Sequence, residues 1–216
     1  MSWRRVDVGD HVLEGVTHSF ADAQLGRPMP ARILILYGTS YGQTAKVARY
    51  IGDCITSRGG IPRIVDADQM PAELSLRNFD GVIIGASIIR GKYQRAVRRF
   101  VIGHRNVLNA MPSAFFSVSA SAASRDESGR RDAEVCMARF LDDTHWQPAS
   151  VESIAGAMAF TKYNVFYRWI LKQISKRSGG PTDTSRDHEL TDWAQVQQFA
   201  EEFLSAVAGG VLNGAG

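Results

Sequence analysis

The chain has 216 residues, 44% of them apolar and 22% charged, with 25 Lys and Arg against 22 Asp and Glu for a net charge of +3. This is the balance of an ordinary globular domain; it excludes a disordered, collagen-like or coiled-coil chain, and it asks for an anionic partner only where basic residues cluster. No apolar run is long enough to span a bilayer, and nothing marks a nucleic-acid binder.

Residues 1–30 carry Asp7, Asp10, Glu14 and Asp22 and no continuous apolar stretch, so they do not read as a signal peptide. They close on the loop signal "GRPMP". The expectation is a weakly ordered N-terminal extension, with Met29 as the natural start. "ARILILY", 31–37, is a continuous apolar run ending in a turn, which suits a strand buried on both faces of a parallel sheet. Helical spacing follows over 43–57, with Val47, Ala48, Ile51, Cys54 and Ile55 on one stripe and "RGG" at its end.

"IPRIVDA", 61–67, reads as a short strand, with one helical turn expected near 71–77. "FDGVIIGAS", 79–87, is a second buried strand. Residues 93–108 have helical spacing, with Tyr93, Val97, Phe100, Val101 and Leu108 inward. "PSAFFSVSAS", 112–121, is a third buried strand, a helix follows at about 128–142, and "SVESIAGAMAF", 150–160, is the last strand. Residues 161–190 interrupt the alternation. The final helix spans 191–207, with Thr191 as its N-cap, and 209–216 read as a flexible tail. Cys54 and Cys136 have neither CxxC spacing nor a partner pattern; both read as core thiols of a reducing compartment, and no metal site is expected.

Strands alternating with helices specify an α/β fold: a doubly wound, flavodoxin-like, five-stranded parallel sheet of order 2-1-3-4-5 over residues 31–208, with an insertion before the last helix. Such sheets bind ligands beyond the carboxyl ends of their strands, at the point where the winding reverses. Three strands end there in small polar residues: Thr39 to Thr44, Ser87, and Ser117 to Ser121. In the first loop Thr39, Ser40 and Thr44 offer hydroxyls, and the N-terminus of the next helix offers free N–H groups and a favourable dipole. With no Lys or Arg between 39 and 45, the loop reads as a neutral phosphate cradle and not a Walker loop, the alternative being a plain helix N-cap with polar neighbours.

Arg90 and Lys92 stand in the second loop, where a cation can stabilise a negative ligand or pair with substrate carboxylates. Arg95, Arg98 and Arg99 read as a solvated helix face. The interruption places Phe166, Trp169, Ile170 and Ile174 beside Arg168, Lys172 and Lys176 at helical spacing. Two readings stay open for this segment: a basic amphipathic helix lying on an anionic membrane, or a surface helix packed on its own domain. Tyr163, Phe166, Tyr167 and Trp169 can alternatively line a cleft for a flat aromatic ligand. The histidines show no ligand spacing and no nucleophilic triad is present.

"TSYGQT" after a buried strand resembles the flavodoxin phosphate loop. "GASIIRGKY", 85–93, and "SVSAS", 117–121, resemble the two loops that hold the flavin ring. "DGVIIGASIIRGKY", "MPSAFFSVS" and the block "KYNVFYRWILKQISKRSGGPTDTSRDHELTDW" are similar, in order and spacing, to the flavodoxin-like, menaquinone-dependent protoporphyrinogen IX dehydrogenase (oxidase) family over residues 31–205. That resemblance implies FMN held by Thr39, Ser40, Tyr41, Gly42, Gln43 and Thr44, by Ala86, Ser87, Ile88, Ile89, Arg90 and Gly91, and by Ser117, Val118, Ser119 and Ala120. It implies oxidation of protoporphyrinogen IX to protoporphyrin IX in two-electron steps, with electrons passed to menaquinone by a cytoplasmic protein peripheral on the inner face of the cell membrane. No catalytic residue beyond the flavin is implied, and a homo-oligomer is left open. The alternatives are another FMN-dependent quinone reductase, or a flavodoxin electron carrier, against which the basic charge and the 158–190 block both weigh.

Overall fold

The computed structural model describes residues 29–120, 122, 127–158 and 188–213. The chain divides into two units, Met1–Pro30 and Ala31–Gly216, and the helices and strands described lie in the second. The expected N-terminal extension falls outside the described residues apart from Met29 and Pro30.

Ile33, Leu34, Ile35 and Leu36 are all fully buried, so β1 (Arg32–Gly38) has both faces covered, as a central parallel strand requires. α1 (Gln43–Ser57) follows at the boundaries its apolar stripe predicts, then β2 (Ile61–Asp66). The turn expected near 71–77 resolves into two 3-10 turns, Ala67–Gln69 and Leu76–Asn78. β3 (Gly81–Ser87), α2 (Arg95–Leu108), β4 (Ser113–Ser119), α3 (Glu127–Thr144) and β5 (Ser150–Ala155) complete the alternation.

The five strands pair in parallel in the order β2-β1-β3-β4-β5, as expected. Successive side chains of a strand face opposite sides, so each strand feeds two apolar layers. Ile33, Ile35, Ile83 and Phe116 join α1 and the C-terminal helix on one side. Leu34, Leu36, Ile84 and Phe115 join α2 and α3 on the other. In that second layer Phe115 meets Phe140 at 5.1 Å and Trp146 at 5.6 Å between ring centroids. The buried Trp146 indole donates to Ser113 Oγ at 3.1 Å, so its one polar atom is satisfied.

The last strand is shorter than expected. β5 stops at Ala155 because β4, its pairing partner, has ended at Ser119. Gly156 N–H donates to the Ser119 carbonyl at 2.9 Å, and the Gly156 carbonyl accepts from Leu190 N–H at 3.2 Å. A side chain at Gly156 would place its Cβ 2.9 Å from Val118, so a glycine makes the exit passable. The chain then forms β6 (Ala157–Met158), paired antiparallel with β7 (His188–Glu189). Residues 159–187, with Phe166, Arg168, Trp169, Ile170, Lys172 and Lys176, lie outside the described residues.

The final helix, α4 (Trp193–Asn213), starts later and ends later than its apolar stripe predicts. It therefore includes part of the segment expected to be a tail; residues 214–216 are outside those described. Its cap is Asp192, not Thr191. Asp192 Oδ1 accepts from Ala194 N–H at 3.0 Å and Gln195 N–H at 3.2 Å, where a carboxylate also meets the positive end of the helix dipole.

The cysteines are free, but neither is a fully buried core thiol: both are half-buried. Burial, then the nearby Glu201 and Asp53 carboxylates, push the Cys54 thiol up from its ordinary value, away from the reactive thiolate.

Gly85 marks the tightest approach inside the sheet. A Cβ there would stand 1.9 Å from Cζ of the Phe116 ring on the neighbouring strand. Gly85→Ala is expected to destabilise the protein by about 1–3 kcal/mol, the usual range for overpacking. Urea unfolding checks this, and Gly85→Ala combined with Phe116→Leu should lose less than the sum of the two single changes.

Candidate functional site

β1 leads to β2 on one side of itself, whereas β3 lies on the other. The loops leaving β1 and β3 therefore part to opposite faces and open a crevice at their carboxyl ends. β4 ends beside β3, in register Ser87↔Val118, and supplies the third wall.

The first wall is the turn from Gly38 into α1. Gly38 lets α2 approach: a Cβ on it would lie 2.6 Å from Val97 and 3.0 Å from Gln94 Cβ. Thr39 Oγ1 accepts from Gly42 N–H at 2.9 Å and closes the turn. Gly42 has φ 96°, a left-handed conformation that a side chain would strain, and it stands at the N-cap of α1 with no side chain capping the helix. The first turn of α1 contains no acid. Thr44 is fully buried within that turn, and its Oγ1 has no hydrogen-bond partner among the described residues. A buried hydroxyl left without a partner costs about 1–3 kcal/mol. A tetrahedral anion at this helix end would satisfy it together with the first-turn N–H groups. No guanidinium or ammonium is needed; Lys46 sits over the Trp193 ring at 5.2 Å.

The second wall is a hairpin over Ile88 to Lys92. Ile89 N–H donates to the Lys92 carbonyl at 2.9 Å and Lys92 N–H returns to Ile89 at 3.1 Å. Arg90 (φ 52°) and Gly91 (φ 72°) between them both have positive φ, as in a type I′ turn. Glycine takes this conformation freely, whereas arginine is strained in it, so the tip holds Arg90 in a sparsely populated state. Ile88 N–H donates to the Val118 carbonyl at 2.9 Å and fastens the hairpin to the end of β4. Arg90, Gly91 and Lys92 are exposed at the tip, with Ile88 and Ile89 half-buried behind them.

The third wall begins at Ser119, itself buried with its Oγ accepting from Ala122 N–H at 3.1 Å, and is exposed to the crevice mainly through the half-buried Ala120. Three residues expected at the site are buried below it. Ala86 belongs to the α2–α3 layer and Val118 to the α1–α4 layer. Ser117 is fully buried and bonded to the Tyr93 hydroxyl at 2.8 Å. Strand alternation explains this: a hydroxyl near a strand's end still points into a layer if the strand continues past it. Burial pushes the Tyr93 phenol well above its ordinary range, with the Ser117 bond a smaller opposing effect, so Tyr93 remains a neutral phenol.

Two residues that sequence reasoning assigned no role, or another role, tie the walls together. Gln94 Oε1 accepts from Ser87 N–H at 3.2 Å, while its Nε2 donates to Ser87 Oγ at 2.7 Å and Ser40 Oγ at 3.1 Å. Thr191 accepts from Gln43 Nε2 at 2.8 Å and donates to the Ala155 carbonyl at 2.7 Å, joining the first loop to the end of β5. Nothing in the local sequence distinguishes Gln94; Thr191 matched a helix-cap pattern and so looked already used. Arg95, Arg98 and Arg99 are exposed on α2, and Arg98 pairs loosely with Asp143 at 3.7 Å. Among the described residues there is no cluster of His, Cys, Asp and Glu fit to hold a metal ion.

The chain matches the family model described as a flavodoxin domain over residues 34–185. It is 37% identical over 171 residues to the protoporphyrinogen IX dehydrogenase (quinone) of Escherichia coli K12, covering 79% of this chain and 93% of that protein. It is 35% identical over 178 residues to the protein of the same name from Leishmania major, covering 81% of this chain and 75% of that one. In structure it resembles the oxidised flavodoxin 2 of Bacillus cereus, with TM-score 0.51, 19% identity, and 82% and 99% of the two chains covered. The oxidised flavodoxin 1 of the same organism aligns with TM-score 0.50 and 16% identity over 81% and 98%. A strand order of 2-1-3-4-5, a cradle at the end of β1 and these relatives coincide: the chain belongs to the flavodoxin-domain family, among the protoporphyrinogen IX dehydrogenases (quinone).

Proposed function

We propose that the protein binds FMN at the ends of β1, β3 and β4, oxidises protoporphyrinogen IX to protoporphyrin IX, and delivers the electrons to a quinone. The observation that carries this reading is Thr44 Oγ1, buried and without a partner at an uncapped helix N-terminus. The FMN phosphate fits there: its oxygens accept from Thr44, Ser40 and the first-turn N–H groups, and no acid opposes it. FMN, when bound, supplies the two-electron redox chemistry of the reaction.

The remaining work belongs to the protein. Thr39 and Gly42 hold the phosphate turn in shape, with Tyr41 and Gln43 flanking it. Ile88 and Ile89 give the second wall an apolar surface suited to one face of a flat ring, with Ser119 and Ala120 opposite. Arg90 and Lys92 bring positive charge to the rim, where they favour a reduced, more anionic cofactor and can pair with the carboxylates of a porphyrinogen. Tyr93, kept neutral by burial, supports Ser117 and the strand end and exchanges no proton at neutral pH.

Menaquinone is the acceptor we favour, and a lipid-soluble acceptor calls for contact with a membrane. Among the described residues no helix is long and apolar enough to cross one. The sequence block with Arg168, Lys172 and Lys176 near Phe166, Trp169 and Ile170 carries the basic and apolar residue types that a peripheral contact on the inner face of the cell membrane would use.

Four outcomes are expected. Thr44→Val removes the hydroxyl at nearly constant volume; FMN should bind about 10- to 100-fold more weakly, since a hydrogen bond to a charged group contributes about 1.5–3 kcal/mol. The FMN-free protein should unfold at the same urea concentration or a higher one, because the buried unpaired group is gone. Anaerobic mixing of FMN-loaded protein with protoporphyrinogen IX should bleach the flavin and generate porphyrin fluorescence, and a menaquinone analogue should restore the colour. Bleaching by NAD(P)H but not by the porphyrinogen would point to a different quinone reductase. In flotation with anionic liposomes, changing Arg168, Lys172 and Lys176 together to Glu should release the protein; unchanged flotation counts against this surface.

A further inference from the structure

Gln94 stands at the N-cap of α2 yet makes no capping bond to its own helix. Its amide is turned instead toward the two loops that diverge at the switch point. The identity of each amide atom follows from the partners. Ser87 N–H can only donate, so the atom facing it at 3.2 Å is Oε1, and Nε2 therefore faces Ser87 Oγ at 2.7 Å and Ser40 Oγ at 3.1 Å. Both N–H bonds of the amide are thus committed to hydroxyl oxygens. Each serine accepts through a lone pair and keeps its own hydrogen for donation elsewhere. Gly38 makes this reach possible, since a Cβ there would collide with the first turn of α2, 2.6 Å from Val97 and 3.0 Å from Gln94 Cβ.

Ser40 belongs to the loop before α1 and Ser87 ends β3; 47 positions separate them in sequence, and Gln94 is the side chain that bonds to both. We propose that Gln94 is a positioning residue: a strap that fixes the spacing between the loop binding the phosphate end of the cofactor and the loop binding its ring, and that orients Ser40 and Ser87 as donors. This rests on the FMN reading above. FMN engages both loops at once, so it behaves as a two-headed ligand whose affinity depends on the loops being pre-set at its own span. Riboflavin, which lacks the phosphate, engages the ring side alone and gains from the strap only the orientation of Ser87, not the spacing between the loops.

Two variants separate this role from ordinary packing. Gln94→Met keeps the length and volume but removes all three hydrogen bonds. Gln94→Glu keeps the acceptor for Ser87 N–H but has no donor when ionised, so Ser40 and Ser87 must turn their own hydrogens toward it and away from the ligand. The measurement is fluorescence titration of the FMN-free proteins with FMN and with riboflavin, alongside urea unfolding. Gln94→Met should weaken FMN about tenfold, the equivalent of about 1.4 kcal/mol, and riboflavin much less, so the preference for FMN falls. Gln94→Glu should be weaker still at pH 7. It should recover in part on acidification toward about pH 5, as protonation of the new carboxyl begins to return one donor, whereas Gln94→Met should show no such recovery relative to wild type.

Wild-type preference for FMN over riboflavin in both variants would overturn the strap. So would equal weakening of both ligands with no acid recovery, which is the signature of a packing defect. A wild-type protein that fails to bind FMN overturns the functional reading itself and removes the strap with it, an outcome visible before any variant is made.

Discussion

β1 pairs in parallel with β2 on one side and β3 on the other, and apolar layers cover both of its faces. Neither its register nor its direction can change without disturbing every other strand. Its carboxyl end therefore leaves the sheet at a fixed point, where the neighbouring connections run to opposite faces. The positions of Gly42, Thr44 and the N-terminus of α1 follow from that exit. A helix beginning there directs its unbonded N–H groups along its own axis into the crevice. The chemistry of the site thus begins as a consequence of strand pairing, before any polar side chain is considered.

The second and third walls depend on the first through hydrogen bonds that cross between loops. Gln94 joins Ser40 to Ser87, Ile88 N–H reaches the Val118 carbonyl, and Thr191 bridges Gln43 and Ala155. Each is modest alone, and each links segments far apart in sequence. The site can therefore be kept open to a ligand while its loops retain definite positions. The cost appears where local preference is overridden, in the left-handed Arg90 and in the buried, unpartnered Thr44 hydroxyl. Both sit at the walls of the crevice and not in the remote core, which is where strain and unmet hydrogen bonds are expected to gather when a site is built to receive something.

Periodicity made the architecture legible. The stripe Val47, Ala48, Ile51 and Ile55 set α1 from Gln43 to Ser57, and three apolar runs located the central strands β1, β3 and β4. The first loop was legible too, because a glycine and three hydroxyl residues between a buried strand and a helix have few other uses. What escaped depends on contacts between distant residues. The end of β5 is set by where β4 stops, which residues 150–160 do not encode beyond the glycine at 156 that lets the chain leave. Thr191 and Asp192 are both acceptable caps by type, and only the carbonyl of Ala155 and the amide of Gln43 decide which one is otherwise engaged. Ser117 shares its composition and its face of β4 with Ser119, and only the Tyr93 hydroxyl, brought to it from the second loop, commits it to the interior. Gln94 carries no local signal, since its meaning resides in two loops that the sheet brings together.

The bond between Gln43 and Thr191 spans 148 positions, and α1 shares its apolar layer with α4. During synthesis the chain emerges from the ribosome N-terminus first. When the β1 loop and α1 have appeared, the side chains that will cover α1, among them Val196, Phe199 and Phe203, have not yet been added. The cradle is therefore one of the first parts of the domain to be made and one of the last to be finished. The sheet can cover part of the α1 stripe early, but the part that packs on Val196, Phe199 and Phe203 must wait until α4 has been translated.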